Sequence, residues 1–425
     1  MDNWFSKESL ARVWKEIKAK KEEEGRGKSL PVGIDGVTAN RFDEDLGRNL
    51  SEISRKLQQK EEDGTSRYRF APFRRKTISS EPGKAREICI PRIRDQIVLR
   101  AVANQILSNI CKLHPGFPAT SPRSAVKKVI AAREAGGAHI LRTDIAKYYP
   151  SIPHTPLLEK VMALGVDPLT MDMVFKCLKT PFRDTRLGKD ADATPGRGVP
   201  VGASLSTVLA EFYLVGLEEQ MQPEGAGLVR YVDDILLCAK SEQEIKQGGR
   251  WLIKELHARG LEISRGKTNF TTFRDGFEFL GFQFCGTKAL VSEKKYLKWI
   301  QTYQGIGRRF IRKINEGDKL DEQKELLRQM VYEINREVSG ECGMQVRYYS
   351  LADDLEPFRQ LDRLIRQMAG GVFRRLGLRM DGDYRLESAY SWAWKYKSDF
   401  AGAAEESTSK FPEIRIADDP CIPNK

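Results

Sequence analysis

Histidine is scarce in this 425-residue chain: His114, His139, His154 and His257 are the full set, and none lies at ligand spacing from a cysteine or another histidine. Zinc fingers, HExxH metalloproteases and His-rich nuclease modules are thereby disfavoured. The seven cysteines (Cys89, Cys111, Cys177, Cys238, Cys285, Cys342, Cys421) are odd in number, scattered and never in CxxC spacing. That pattern argues against a disulfide framework or zinc ribbon and fits a reducing compartment. No apolar run approaches the roughly 18 residues of a membrane span. The segment from Met1 to Lys21 reads as an amphipathic helix and lacks the apolar stretch of a signal peptide. The expectation is a cytoplasmic protein with no membrane contact, no internal repeats and no low-complexity linker. An enzyme with this inventory must work with carboxylates, lysines and metal ions.

Positive charge is plentiful, with 71 Lys+Arg against 59 Asp+Glu and a net +12. Between Arg67 and Arg100 ten basic residues face only Glu81, Glu87 and Asp95, so more than half of the excess falls in one stretch. A solvated face usually interleaves the two signs, so this stretch reads as a phosphate-contacting surface.

Apolar spacing predicts helices around Leu10, Val13, Trp14 and Ile17, and around Leu46, Leu50, Ile53 and Leu57, joined through a turn-rich Gly33–Thr38. Arg74–Ile78 and Arg86–Ile90 flank Glu81-Pro82-Gly83-Lys84 and read as a hairpin, followed by a helix from about Arg94 to Leu113. Residues 138–146, 228–232 and 235–239 are short apolar runs that read as buried strands. Helical patterns at Ser204–Gln220 and Glu242–Arg259 lie between and after them. This order suggests a split βαβ, ferredoxin-like sheet. A last strand pair is expected within Phe277–Phe284. From Val291 onward the stripes Leu327, Met330, Val331, Ile334, Val338 and Leu355, Phe358, Leu361, Ile365, Met368 predict a helical bundle.

The chemistry centres on Tyr231-Val232-Asp233-Asp234, two adjacent carboxylates between apolar strand-like runs. Such neighbours repel and call for a cation; an Asp-rich turn is the bland alternative. Asp144 ends another buried run 89 residues earlier, where a helix cap is the competing reading. If the two strands are sheet neighbours, three carboxylates converge on hard-oxygen chemistry suited to Mg²⁺ and phosphoryl transfer.

Five segments in order, HILRTDIAKYYPSI, GVPVGASLSTVLAEFYL, LVRYVDDILLCAKS, GLEISRGKTNF and FEFLGFQF, resemble the palm blocks of reverse transcriptases. Upstream, GIDGVT, YRFAPFRRKTI and GKAREICIPRIRDQIVLRAV resemble the finger blocks of bacterial, group II intron-type enzymes. The resemblance covers roughly residues 30–285 and implies an α+β right-hand polymerase with fingers, a ferredoxin-like palm and a helical thumb. It implies metal binding by Asp144 and Asp233 with the Ile145 carbonyl, and an acidic cluster completed by Asp234. Two Mg²⁺ ions are implied, with Mn²⁺ as an alternative. Tyr149 matches the aromatic position that excludes a ribose 2′-OH, against a core-packing alternative. Lys84 and Arg86 match the residues that clamp the incoming triphosphate, against a solvated hairpin tip. Lys267 matches a lysine proposed to protonate the leaving pyrophosphate, with an exposed loop lysine as the equal alternative. Phe279, Leu280 and Gly281 resemble the primer grip, where glycine lets backbone approach the primer, against a plain hairpin.

There are departures. Pro200-Val201-Gly202 stands where Pro-Gln-Gly is common, and Val201 lacks the hydrogen-bonding amide of Gln. No His/Cys-rich endonuclease, retron-like Val-Thr-Gly or RNase H domain is expected. A stand-alone polymerase with GVPVGASLS resembles the defence-associated ("unknown group") reverse transcriptases. That resemblance implies anti-phage function and a structured companion non-coding RNA as template, with dNTPs and a DNA primer or product as further partners. The alternatives are a maturase-like RNA-binding protein and an RNA-dependent RNA polymerase. The expected organisation is an N-terminal helical extension (1–65), fingers (66–140), palm (141–290), helical thumb (291–400) and a loosely ordered tail (401–425).

Overall fold

In a computed structural model the described residues are 3–402, except 24–29, 82–83, 116, 118–120, 185–188, 192–194, 222–225 and 340–343. The expected tail beyond residue 402, Cys342, Cys421 and the Pro82-Gly83 tip lie outside them. The architecture is α+β, as expected from the sequence.

Helices α1 (Lys7–Glu23), α2 (Ala39–Glu44) and α3 (Leu46–Gln58) open the chain. The apolar stripes fall inward as their period requires: Leu10, Trp14, Leu50, Ile53 and Leu57 are all buried. Strands β1 (Phe73–Glu81) and β2 (Lys84–Ile90) then form the antiparallel hairpin, with Arg74 opposite Ile90 and Ile78 opposite Arg86. Next come α4 (Ile93–Leu113), α5 (Pro122–Glu134), β3 (His139–Asp144), α6 (Tyr148–Ser151), α7 (His154–Ala163) and α8 (Pro168–Lys179). A short pair, β4 (Phe182–Asp184) and β5 (Lys189–Ala191), extends the hairpin into a sheet of order β2-β1-β4-β5, β4 running parallel to β1. This addition has no alternating pattern long enough to predict.

The central sheet is built from β3 with β6 (Ala226–Tyr231), β7 (Asp234–Ala239) and β8 (Asn269–Thr272), in the order β6-β7-β3-β8 and antiparallel throughout. Counted along the chain this is 2-3-1-4, the ferredoxin-like order read from the other edge. Helix α9 (Ser204–Tyr213) precedes β6 and α10 (Glu242–Ala258) follows β7. The stretch expected to be helical to Gln220 stops at Tyr213. Gly216 turns the chain at φ +87°, and the Lys160 ammonium caps the Tyr213 carbonyl at 2.9 Å. Side chains alternate along β3, so Leu141 joins one core with Trp14, Leu50 and Leu237, while Ile140 joins a second with Leu236 and Cys238.

Beyond the sheet, β9 (Phe277–Phe279), β10 (Phe282–Cys285) and β11 (Lys288–Val291) form a three-stranded meander, one strand more than expected. Five helices follow: α11 (Glu293–Glu316), α12 (Leu320–Ser339), α13 (Met344–Tyr349), α14 (Glu356–Arg375) and α15 (Ala389–Gly402). A relay of rings joins the meander to these helices. Phe282 stacks on Tyr349 (5.0 Å, 28°), Tyr349 meets Trp299 edge-on at 5.0 Å, and Trp299 leans on Phe358 at 5.3 Å.

The β9–β10 turn is Leu280-Gly281, both left-handed at φ +48° and +79°, the two-residue geometry that matches strand twist. A Cβ at Gly281 would overlap the Tyr349 hydroxyl. Gly281→Ala therefore combines backbone strain with a clash, whereas Gly286→Ala (φ +56°, open space around the Cβ) carries only the strain of about 1–2 kcal/mol. Urea unfolding is expected to show the larger loss for Gly281→Ala; equal losses would contradict this packing.

Candidate active site

The β3–β7 register sets Asp144 directly opposite Asp234, so the two side chains share one face at the end of the sheet, both largely buried. Asp233 occupies the two-residue Val232-Asp233 turn between β6 and β7, closed by the Tyr231–Asp234 pair. Its carbonyl accepts the Ile145 N–H at 3.1 Å, tying the turn to the strand that carries Asp144. The segment 262–264 stitches the same end of β3: Ser264 N–H donates to the Asp144 carbonyl and Ala146 N–H to the Glu262 carbonyl, both at 2.7 Å. The sequence pairs Asp144 with Asp233; in the structure Asp234 is the register partner.

Two facing carboxylates are unfavourable without a cation. The Lys267 ammonium supplies one, bonded to Asp144 Oδ2 from the short turn Arg265–Lys267. Thr268 fixes that turn with a 2.8 Å hydroxyl bond to Thr143. As the side chains stand, no group of three His, Cys, Asp or Glu among the described residues is arranged to hold a metal ion, Asp144, Asp233 and Asp234 included. The donor set still suits one chemically. Asp144 and Asp234 offer hard carboxylate oxygens on one face, and a cation from the protein already sits on Asp144.

On the opposite side of the sheet end, the paired tyrosines divide their roles. Tyr148 is fully buried and donates to the Ala210 carbonyl, a core function. Tyr149 packs edge-on against it (5.8 Å, 72°) beside Asp233. Burial first, then the Asp233 charge, push its phenol up to about 12 against the pull of a hydrogen bond with Thr207, so it stays a neutral hydroxyl. The Tyr149 carbonyl accepts Val199 N–H at 2.9 Å, and the Val201 carbonyl accepts Cys89 N–H at 2.7 Å. Pro200-Val201-Gly202 thus bridges Tyr149 to β2. Gly202 is required there: it sits at φ +98°, and a Cβ would lie 2.9 Å from the Cys89 carbonyl. Arg86, on the same strand, is exposed; the Lys84 backbone belongs to β2 while its side chain lies outside the described residues.

The basic stretch is more structural than its charge count implies. Arg75 pairs with Glu87, Arg94 with Glu52, and Arg67 and Arg69 with Glu61. Arg92 holds the fully buried Asp95, which also accepts the Tyr68 hydroxyl at 2.7 Å. Burial dominates at Asp95 and pushes its carboxyl up despite both partners. Half of the ten basic residues in this stretch are thus ion-paired with the protein's own carboxylates.

Phe279 is buried in the second core, Leu280 is half-buried, and the Leu280 and Gly281 carbonyls accept from the Tyr348 hydroxyl (2.8 Å) and Ser292 N–H (2.9 Å). The close approach that requires glycine at 281 is therefore to Tyr349 of the protein itself. Strain marks all three motifs. The non-glycine residues with left-handed backbone among those described are Lys147, Val232 and Leu280, one each after Asp144, within YVDD and in the β9–β10 turn.

Arg230 was not singled out by sequence, and it organises the hairpin from behind. Its side chain is fully buried and meets Glu211 at 3.1 Å and Glu218 at 2.8 Å. Nη1 also donates to the Val232 carbonyl at 3.2 Å. Burial alone would push the guanidinium pKa down, but Glu211 and then Glu218 outweigh it and the net shift is upward. A left-handed β-branched residue costs roughly 1–3 kcal/mol. One hydrogen bond from a charged donor contributes about 1.5–3 kcal/mol, enough to offset it. The only sequence signal was an arginine inside an otherwise apolar strand. Arg230→Met strands two buried carboxylates and is expected to cost about 3–5 kcal/mol in urea unfolding. Adding Glu211→Gln and Glu218→Gln should recover much of that loss. No recovery would show that the arginine stabilises by packing alone.

Residues 74–284 match the family described as reverse transcriptase (RNA-dependent DNA polymerase). Protein YkfC of Escherichia coli (strain K12) is 24% identical over 314 residues, 63% of this chain and 79% of its own length. The putative COX1/OXI3 intron 1 protein of Saccharomyces cerevisiae is 22% identical over 202 residues, 46% of this chain and 23% of that protein. Among solved structures, apo telomerase from Candida tropicalis aligns with a TM-score of 0.46 and 14% identity, covering 87% of this chain and 73% of that one. Telomerase from Candida albicans, in complex with a fragment of telomeric RNA, aligns with a TM-score of 0.45 and 14% identity, covering 79% and 66%. The matched span holds the acidic pair, Lys267, Arg230, Tyr149, the 200–202 bridge and the Leu280-Gly281 turn.

Proposed function

We propose that this protein is an RNA-directed DNA polymerase in which a primer 3′-oxygen bonds to the α-phosphorus of a dNTP as the bond to the bridging oxygen breaks and pyrophosphate leaves. The observation that carries the reading is the register pairing of Asp144 with Asp234, beside Asp233, inside the matched domain. Asp144, Asp233, Asp234 and the Ile145 carbonyl would hold Mg²⁺, as two ions, with Mn²⁺ able to substitute. When bound, the metal supplies charge stabilisation for the attacking and leaving oxygens. The remaining work is positioning and electrostatics.

Tyr149 would lie under the sugar of the incoming nucleotide, its ring fixed by Tyr148 and Thr207 so that a 2′-OH has no room. Val201 next to it presents an apolar side chain where an amide is common. Lys84 and Arg86 on β2 would neutralise the triphosphate. Lys267, ion-paired with Asp144, would donate a proton to the leaving pyrophosphate. Residues 66–140 would act as fingers, 141–290 as palm with Phe279, Leu280 and Gly281 near the primer, and 291–400 as thumb.

The finer reading is a defence-associated enzyme that copies a structured companion non-coding RNA in the cytoplasm. Its support is the GVPVGASLS segment, the scattered cysteines, of which Cys89, Cys177 and Cys238 are free and buried, and the lack among described residues of a helix long and apolar enough to cross a membrane. Sequencing the RNA and DNA that co-purify with the protein tests it: one enriched structured RNA with its complementary DNA is expected, and a random transcript population would contradict it.

With RNA template, primer and dNTPs, Asp233→Asn combined with Asp234→Asn is expected to abolish extension. Full activity in that variant would sink the assignment, and retained biological function without extension would favour an RNA-scaffold role. Wild type should incorporate dNTPs over NTPs, and Tyr149→Ala should narrow that preference by about tenfold or more, since a steric gate is worth at least ~1.4 kcal/mol. Preference for NTPs in the wild type would instead identify an RNA polymerase.

A further inference from the structure

Helix α15 carries an aromatic surface apart from the acidic site: Tyr390, Trp392 and Tyr396 pack in part on the second core, and Trp394 does not. Ala389 and Ala393 are fully buried and form its seam with the bundle. On one flank Tyr390 and Trp394, one turn apart, stack at 6.4 Å and 29°, and Trp394 is left 60% exposed. On the other flank Trp392 and Tyr396 stack at 5.7 Å and 29°. A large exposed ring costs hydration free energy and adds nothing to this core, so folding alone does not account for it.

Cations frame the exposed pair. The Arg359 guanidinium from α14 lies 4.2 Å over the Tyr390 ring and donates to its hydroxyl at 2.7 Å, fixing the ring that supports Trp394. Arg363, one turn further along α14, is 65% exposed. Glu356 is the carboxylate shared by both arginines, while Asp362 between them is engaged by the Ser388 hydroxyl and the Ala389 and Tyr390 N–H groups at the start of α15. Lys395 lies 5.0 Å over Trp392. Beside the first turn of α15, a hollow of about 520 Å³ is lined in part by Arg366, Arg385, Ser388 and Ser391, with Asp381 and Glu387 also on its wall.

We infer that the Tyr390–Trp394 face with Arg359 and Arg363 is a docking platform for an unpaired nucleic-acid strand, separate from the polymerase site. A preordered ring with one open face accepts a base of any identity by stacking, and the two guanidiniums take the flanking phosphates. An apolar protein partner would not require the ring of cations, and a folded anionic protein would not require a flat open indole. The inference goes beyond the polymerase reading and does not depend on catalysis.

The test is binding of end-labelled 20-mer oligo(rU) and oligo(dT) to the full chain by fluorescence anisotropy, without dNTP or divalent metal. Trp394→Ala is expected to weaken Kd about fivefold or more, from the ~1–3 kcal/mol of one base stack, while Trp394→Phe keeps most of the affinity. Arg359→Ala with Arg363→Ala should also flatten the salt dependence by about 1.4 in log–log slope, two phosphates' worth. The contrast between rU and dT identifies the strand. The same losses should appear in an Asp233→Asn/Asp234→Asn background, which separates this surface from the catalytic assignment. Wild-type affinity in a folded Trp394→Ala protein would overturn the proposal. So would a Trp394→Ala protein with unchanged affinity that loses self-association by light scattering, since the face would then be a protein contact.

Discussion

Two carboxylates held face to face across a pair of buried strands repel, and most of the local architecture answers that repulsion. Asp144 and Asp234 are 90 residues apart in sequence and become neighbours only because β3 inserts between β7 and β8. The same insertion brings the turn ahead of β8 to the end of β3, which is how Lys267 reaches Asp144. Behind the hairpin, a fully buried arginine with two carboxylates holds the backbone in a conformation that valine resists. The site thus has an acidic front, the Lys267 ammonium on it and an ion network behind it.

Strain and rigidity are distributed with the same logic. Lys147, Val232 and Leu280 hold unfavourable backbone geometry after Asp144, within YVDD and in the β9–β10 turn. Each is tied to a buried element: Val232 through Arg230, Leu280 through the Tyr348 hydroxyl, and Lys147 through the Tyr148 ring that follows it into the core. The bridge from Tyr149 through Val199 and Val201 to Cys89 couples the hairpin sheet to the central sheet by backbone hydrogen bonds alone. Side-chain identity at Val201 is therefore free to vary without loosening that joint, whereas Gly202 is not.

Much of this was legible in the sequence because it is local. The runs around Ile140 and Leu236 read as buried strands, and the stripe from Leu327 to Val338 as a helix face, because periodicity records which side is buried. The three aspartates stand out by type and spacing, and Tyr149 by resemblance to the reverse transcriptase palm blocks. What periodicity does not record is register and partner. It could not say that Asp234 faces Asp144, nor that the glycine at 281 makes room for Tyr349. Charge counting likewise read Arg67–Arg100 as a phosphate surface, although ion pairs with Glu52, Glu61, Glu87 and Asp95 occupy half of its basic residues. The helix expected to reach Gln220 ends early because Lys160, distant in sequence, caps it. Each miss is a tertiary contact that overrides a local preference.

The most direct measurement of the central claim is single-turnover extension of a primer on an RNA template, comparing wild type with Asp144→Asn, a substitution that keeps shape and removes one of the two facing charges. The account predicts extension by the wild type and a rate lower by about a hundredfold or more in the variant, the scale expected when a group that stabilises developing charge is lost. Equal rates would mean that the Asp144–Asp234 face is not where the chemistry occurs.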